Sequence, residues 1–277
     1  MQLGIFARTF AAPTLHGVLD AIVDHGLSSV HFNLRCAGLP ALPGRLDASR
    51  CDAIRIEFQQ RALEMVGVSG TFNAIHPDEE TRRSDTEKAR SLIRCAKSLG
   101  TSFVSLCTGT RDSENMWRAH PDNRSPEAWR ALRETLDRLL EVAHEESVDL
   151  GIEPERANVV DSARAARRIL DEIGSPRLRI IIDGANLSDP VEPGAGAPLI
   201  REAFDLLGPD IAQVHAKEIP GEGESALAAP GFGQLDWDFY FECIRKYRYC
   251  GPVVIHNLRE PDVGAAIRFL RSRAARV

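Results

Sequence analysis

No two of the six cysteines, Cys36, Cys51, Cys95, Cys107, Cys243 and Cys250, form a CxxC pair, and their spacing has none of the density of a small disulfide-stapled domain. They read as reduced thiols in small core positions, which suits a cytoplasmic protein. No run approaches the roughly 20 consecutive apolar residues that span a bilayer. Met1 leads straight into the strand-like Leu3-Gly4-Ile5-Phe6, without the basic segment and long apolar stretch of a secretory leader. Neither a membrane protein nor an exported one is expected. Excess positive charge is lacking as well: 34 Lys and Arg against 40 Asp and Glu leave a net charge of -6, so there is no basic field to hold a nucleic-acid backbone.

Several signatures of familiar chemistry are missing too. There is no GxSxG, no Walker A sequence, no HExxH and no dinucleotide fingerprint at a first βα turn, which removes support for serine hydrolysis, nucleoside-triphosphate chemistry, zincin proteolysis and dinucleotide binding. Metal-assisted or acid/base chemistry on a small molecule is left. No proline-rich or low-complexity linker divides the 277 residues, so residues 1–277 are expected to form one domain.

What the chain does have is repetition. Short apolar runs alternate with amphipathic stretches: 3–6 with 14–25, 29–32 with 48–65, 66–72 with 85–99, and 103–107 with 126–146. Four more units follow: 148–153 with 162–173, 178–183 with 198–207, 211–215 with 237–247, and 253–256 with 263–272. Eight βα units predict an α/β fold, a closed (β/α)8 TIM barrel, with an open doubly wound sheet as the alternative. Ser125-Pro126-Glu127 has the form of an N-cap with proline in the first turn, and Gly100 and Gly174 stand where helices should stop. The longest connections, 108–125, 184–197 and 216–236, follow the fourth, sixth and seventh strands, on the side where substrate loops belong.

Polar residues close four successive apolar runs: Glu153, Asp183, His215 and His256. Parallel strands of a closed barrel bring their last residues to one rim, where barrel enzymes keep their chemistry. Two carboxylates and two imidazoles there predict a divalent cation site, and the mixed donor set suits Mn, Co, Zn or Fe, with Mg also considered. Any one of the four taken alone fits better in a hydrogen-bonded polar layer, and it is their succession that favours a site. Side-chain alternation adds Glu155 to the direction of Glu153, and sets Gln213, His215 and Lys217 on one face.

His31 with Asn33, and Asn73 with His76, fall at or just past strand ends and are candidates to hydrogen-bond a polyhydroxylated substrate. In the loop after the fourth strand, Arg111 is a candidate partner for a carboxylate or phosphate and Trp117 for a sugar face, the alternative being a surface loop pinned by a half-buried tryptophan. Gly221-Glu222-Gly223 and Gly231-Phe232-Gly233 lie near where barrels often hold phosphate, a signal that turn chemistry explains equally well. His16, His25 and His144 sit on helices and read as solvated.

These residues resemble the sugar phosphate isomerase/epimerase family, the xylose isomerase-like barrels. The resemblance spans essentially the whole chain. It is carried by Gly70-Thr71-Phe72-Asn73 with His76-Pro77, Gly151-Ile152-Glu153-Pro154-Glu155, Asp183-Gly184-Ala185-Asn186-Leu187, Val214-His215-Ala216-Lys217-Glu218 and 230–237. It implies one divalent metal held by a Glu, an Asp, a His and a Glu after strands five to eight, with the two glutamates as opposed acid/base groups. Glu153, Asp183 and His215 match by position. The eighth run ends in His256-Asn257 instead of Glu, and Asn186 stands where the family commonly has His. The implied activity is a metal-dependent isomerase or epimerase of a sugar, sugar acid or keto-polyol, with Glu153 taking the α-proton and His256 or Lys217 returning or stabilising it. Glu155 and Glu260 are further acid/base candidates, and Asn186 is a candidate to orient a substrate hydroxyl. A lyase or dehydratase and a non-catalytic sugar-binding barrel are the alternatives. The partner is expected to be a small sugar-like molecule, with no nucleic acid and no membrane, and the resemblance implies a homo-oligomer.

Overall fold

The apolar runs become strands buried on both faces, because helices cover them outside and side chains fill the barrel within. A computed structural model describes residues 2–188, 196–221 and 227–275. Its strands are β1 (Gln2–Phe6), β2 (Ser29–Phe32), β3 (Glu64–Ser69), β4 (Phe103–Leu106), β5 (Asp149–Ile152), β6 (Leu178–Asp183), β7 (Ile211–Ala216) and β8 (Pro252–Ile255). They are all parallel, in sequence order, and β8 closes the ring on β1 with Leu3 opposite Val253 and Ile5 opposite Ile255. The fold is a (β/α)8 TIM barrel.

Eight helices pack around it: α1 (Leu15–Asp24), α2 (Ala48–Gln60), α3 (Glu79–Leu99), α4 (Pro126–Glu146), α5 (Ala163–Ile173), α7 (Gly196–Leu207), α8 (Trp237–Lys246) and α9 (Val263–Ala274), while the single turn α6 (Gly184–Leu187) follows β6 directly. Side-chain caps set the starts: Asp47 accepts from Arg50 N, Asp78 from Thr81 N, Ser125 from Ala128 N and Ser162 from Ala165 N. Gly100 and Gly174 end α3 and α5 in left-handed geometry, as expected.

The largest boundary differences from the sequence reading lie around the second and third helices. The second helix stops at Gln60 and not at residue 65, because Ala62 turns to φ 52° and Leu63 N bonds back to Phe58 O. Residues 64 and 65 are thereby released into β3, which runs 64–69 in place of 66–72. The third helix starts six residues earlier than expected, at Glu79, since Asp78 caps it and Glu79 and Glu80 complement the positive end of its dipole. No described helix is long and apolar enough to cross a membrane.

Candidate metal centre

Strands β6 and β7 pair so that Asp183 lies opposite His215, while Glu153 and His256 are the first residues beyond β5 and β8. One ligand atom from each of these four residues lies within 4.8 Å of all the others. His256 Nε2 donates to Asp183 Oδ2 at 2.9 Å, and His215 Nδ1 stands 3.4 Å from Glu153 Oε2 and 3.9 Å from Asp183 Oδ2. Asp183 is fully buried, and its Oδ1 accepts from Ala185 N and Asn186 N at the start of α6. Behind the site, the Tyr240 hydroxyl reaches both Ile182 O and His215 O at 3.1 Å, which ties the ends of β6 and β7 to α8.

The electrostatics follow from this crowding. Burial by itself favours the neutral form of Asp183, but the His256 hydrogen bond and the nearby Lys217 outweigh it and hold the carboxyl well below the usual range. Burial pushes His256 down. It also works against a charge on His215, yet the Glu153 and Asp183 carboxylates hold that imidazole above its ordinary value.

These residues fit a divalent cation. His215 Nδ1 is buried without a hydrogen-bond partner and faces two carboxylates, whereas buried polar atoms are otherwise almost always satisfied. Two carboxylates and two imidazoles are the donor set that Zn, Mn or Co takes.

Around this cluster, Asn186 links two groups. Its Nδ2 donates to Glu153 Oε1 at 2.5 Å, and its Oδ1 accepts from Lys217 Nζ. Glu155 lies beside them, pushed up to about 7 by burial and by the Glu153 charge, with Lys217 pulling the other way. All four line a cavity of about 700 Å³ at the barrel mouth, with Trp117, Arg8 and Arg35 further along its wall. Trp117 is 58% exposed, so its face is available to the cavity and to solvent.

His31 lies on the cavity floor with both nitrogens engaged, Nδ1 with Gln213 Oε1 at 2.7 Å and Nε2 with Ser105 Oγ at 2.9 Å. Burial, then the His215 charge, drives its pKa down to about 3, so the ring is neutral. The structure does not bring Asn73, His76 or Arg111 into the cavity lining. Asn73 holds the β4 loop through Thr110 and Asp112 backbone atoms, His76 contacts Asp78 and Ser113 carbonyls, and Arg111 donates to Ile75 O.

Sequence reasoning gave no role to Glu218. This carboxylate is 1% exposed and accepts four bonds, from Ile219 N and Leu235 N on Oε1 and from Gly231 N and Trp237 Nε1 on Oε2. It folds the loop after β7 back on itself. The Gly231-Phe232-Gly233 segment belongs to that fold: Gly231 has φ +90°, and a Cβ at Gly233 would meet Ile219 O at 2.2 Å. Residues 222 and 223 of the other glycine pair lie outside the described residues. Arg8, Arg35 and Ser105 were also unassigned, although each lies on or just beyond a strand that ends at the mouth.

A sequence model of the family described as xylose isomerase-like TIM barrel matches residues 19–273. No curated protein matches the chain by sequence. Among solved structures, the chain is similar to the 3-keto-D-glucoside 4-epimerase YcjR from E. coli, with a TM-score of 0.77 at 18% identity, covering 98% of this chain and 99% of that one. It is similar to a D-tagatose 3-epimerase-like protein, with a TM-score of 0.80 at 18% identity over 100% and 98% of the two chains. The IOLI protein with a bound zinc atom gives 0.73 at 15% identity over 100% and 99%. At such identities the likeness is one of fold.

Proposed function

The chain belongs to the xylose isomerase-like TIM-barrel family, and from that premise we propose that it is a metal-dependent isomerase or epimerase, moving a proton on carbon next to the carbonyl of a sugar, sugar acid or keto-polyol. The observation that carries this reading is the buried His215 Nδ1, which makes no aligned hydrogen bond yet lies 3.4 Å from Glu153 and 3.9 Å from Asp183 at the mouth of a cavity large enough for a monosaccharide. The zinc-bound and epimerase neighbours support it.

Glu153, Asp183 and His215, with His256 as the candidate fourth ligand, would hold the cation, which would supply polarisation of a carbonyl and its adjacent hydroxyl. Glu153 takes the proton from the carbon beside that carbonyl. Asn186 keeps its Oε1 directed while Lys217 is held on the far side of the same amide. His256 or Lys217 returns the proton, and an imidazole in the place of a second carboxylate gives that step a different reach and pKa from a two-glutamate exchange. Glu155, with its pKa near 7, keeps a second exchangeable proton beside the reacting atoms. The ligand is small and polyhydroxylated, and the six unpaired cysteines support a reducing, cytoplasmic setting.

The test combines metal content and hydrogen exchange. Elemental analysis of purified wild type, Asp183→Ala and His256→Ala is expected to show about one divalent ion per chain in the first and loss in the second. Loss in His256→Ala marks it as the fourth ligand, and retention assigns it to proton transfer. Ketoses and keto-polyols incubated in deuterated water are then expected to gain deuterium next to the carbonyl without loss of water. A product lighter by one water moves the reading to a dehydratase. Absence of both metal and exchange sinks the proposal.

A further inference from the structure

Gln213 lies on β7 two residues before His215, 1% exposed, with its amide inside the barrel. Its Nε2 is 3.3 Å from Val66 O on β3. A backbone carbonyl only accepts, so the amide turns its NH2 toward β3 and its Oε1 toward the two imidazoles. That oxygen stands 2.7 Å from His31 Nδ1 and 3.1 Å from His215 Nε2. A carbonyl oxygen carries no proton, and therefore both ring nitrogens facing it are N–H donors. His31 then accepts the Ser105 hydroxyl on Nε2, in keeping with a neutral ring. His215 carries its proton on Nε2 and, when neutral, keeps its lone pair on Nδ1, the atom without a partner.

We infer that Gln213 is a positioning residue, fixing His215 in the Nε2–H tautomer so that Nδ1 is presented as a ligand between Glu153 and Asp183. Without it the local field favours the opposite arrangement, because two carboxylates beside Nδ1 attract a proton to that atom and turn a ligand into a hydrogen-bond donor. Outer partners of this kind set ligand orientation and commonly change metal affinity by about 10- to 100-fold. The inference also gives His31 a role: it shares the Gln213 carbonyl and helps hold the amide in place. The consequence for metal binding rests on the proposed function, whereas the tautomer itself does not.

The experiment uses the full chain with Gln213→Leu and Gln213→Glu. Long-range proton–nitrogen NMR of the metal-free protein in mildly alkaline buffer reads the tautomer of His215, and titration with zinc or manganese alone reads affinity. Wild type is expected to show Nε2–H at His215. Gln213→Leu is expected to move the proton toward Nδ1 and to weaken metal binding about 10- to 100-fold. Gln213→Glu, which retains acceptor oxygens, is expected to restore the wild-type tautomer and most of the affinity. An Nδ1–H ring in wild type overturns the inference even if the leucine variant does not fold, as does an unchanged tautomer and affinity in a folded Gln213→Leu. A wild type with the Nε2–H ring and no metal binding leaves the tautomer lock standing and removes the proposed function.

Discussion

The ring of Phe103 occupies the space that the missing side chain of Gly151 leaves open: a Cβ on Gly151 would stand 2.2 Å from Phe103 Cζ and 3.1 Å from Ile181 Cγ1. On the other side, a Cβ at Gly67 would meet Phe103 Cδ1 at 2.9 Å. Two glycines on β3 and β5 thus form a slot for one aromatic ring in the barrel interior. Glu153 projects from the same face as Gly151, two residues on, so the slot and the candidate metal ligand share a strand end. Gly151→Ala has to move either the ring or the strand, and overpacking of this kind costs about 1–3 kcal/mol. Urea unfolding should show that loss together with weaker metal binding. Adding Phe103→Leu should recover part of both, and a neutral Gly151→Ala would refute the account.

Acid sensitivity should trace in part to His31. Its folded pKa is depressed to about 3 from 6.5, so below 6.5 the unfolded chain takes up a proton that the folded chain refuses. Stability from this group is complete above 6.5 and declines at about 1.4 kcal/mol per pH unit as the pH falls toward 3. In chelator-treated protein, His31→Leu is expected to be less stable at neutral pH yet to lose about 2 kcal/mol less than wild type between pH 7 and pH 5. Parallel losses in the two proteins would place the acid sensitivity elsewhere.

Metal binding should release protons. The Glu153 and Asp183 carboxylates overcome burial and hold His215 above its ordinary pKa, so an incoming cation has to displace a proton from a fraction of the molecules. Affinity is therefore expected to rise with pH across the neutral range. Calorimetric titration in two buffers of different ionisation enthalpy counts the protons released, and a count of zero contradicts the assignment of His215.

Removing the Glu218 carboxylate leaves four donors, Ile219 N, Leu235 N, Gly231 N and Trp237 Nε1, without their acceptor. Glu218→Ala is expected to lose about 3 kcal/mol or more and to shift the emission of Trp237. Metal content should stay at the wild-type level, since the loop that Glu218 folds carries none of the four candidate ligands. Simultaneous loss of metal would show that the loop supports His215 as well.

The barrel was legible in the sequence because the strands are short, mostly apolar runs at regular spacing and several of the long helices, α2 to α5 among them, have a polar residue in place to cap them. The clustering of Glu153, Asp183, His215 and His256 was legible for a related reason, since a parallel ring converts the last residue of a run into a rim position. Engagement by neighbours was not visible. Asn73 and His76 carry the donors and acceptors a sugar would need, but backbone groups of the β4 loop and, for His76, of Asp78 take them, and that depends on a loop path the pattern does not encode. Gln213 was on the right face, yet its importance lies in which way one amide points, which only the carbonyl of Val66 on a distant strand decides. Glu218 looked like any loop carboxylate until four donors, up to 19 residues away in sequence, turned toward it.

The candidate ligands all come from the ends of β5 to β8, while Arg8, Arg35 and Trp117, further along the cavity wall, follow β1, β2 and β4. Along the sequence, the block that carries the candidate ligands is therefore contiguous, and the opposite wall of the mouth lies upstream of it. A cut between β4 and β5 would keep the four candidate ligands together but part Gln213 and Gly151 from His31, Val66 and Phe103, the upstream residues that hold them in place.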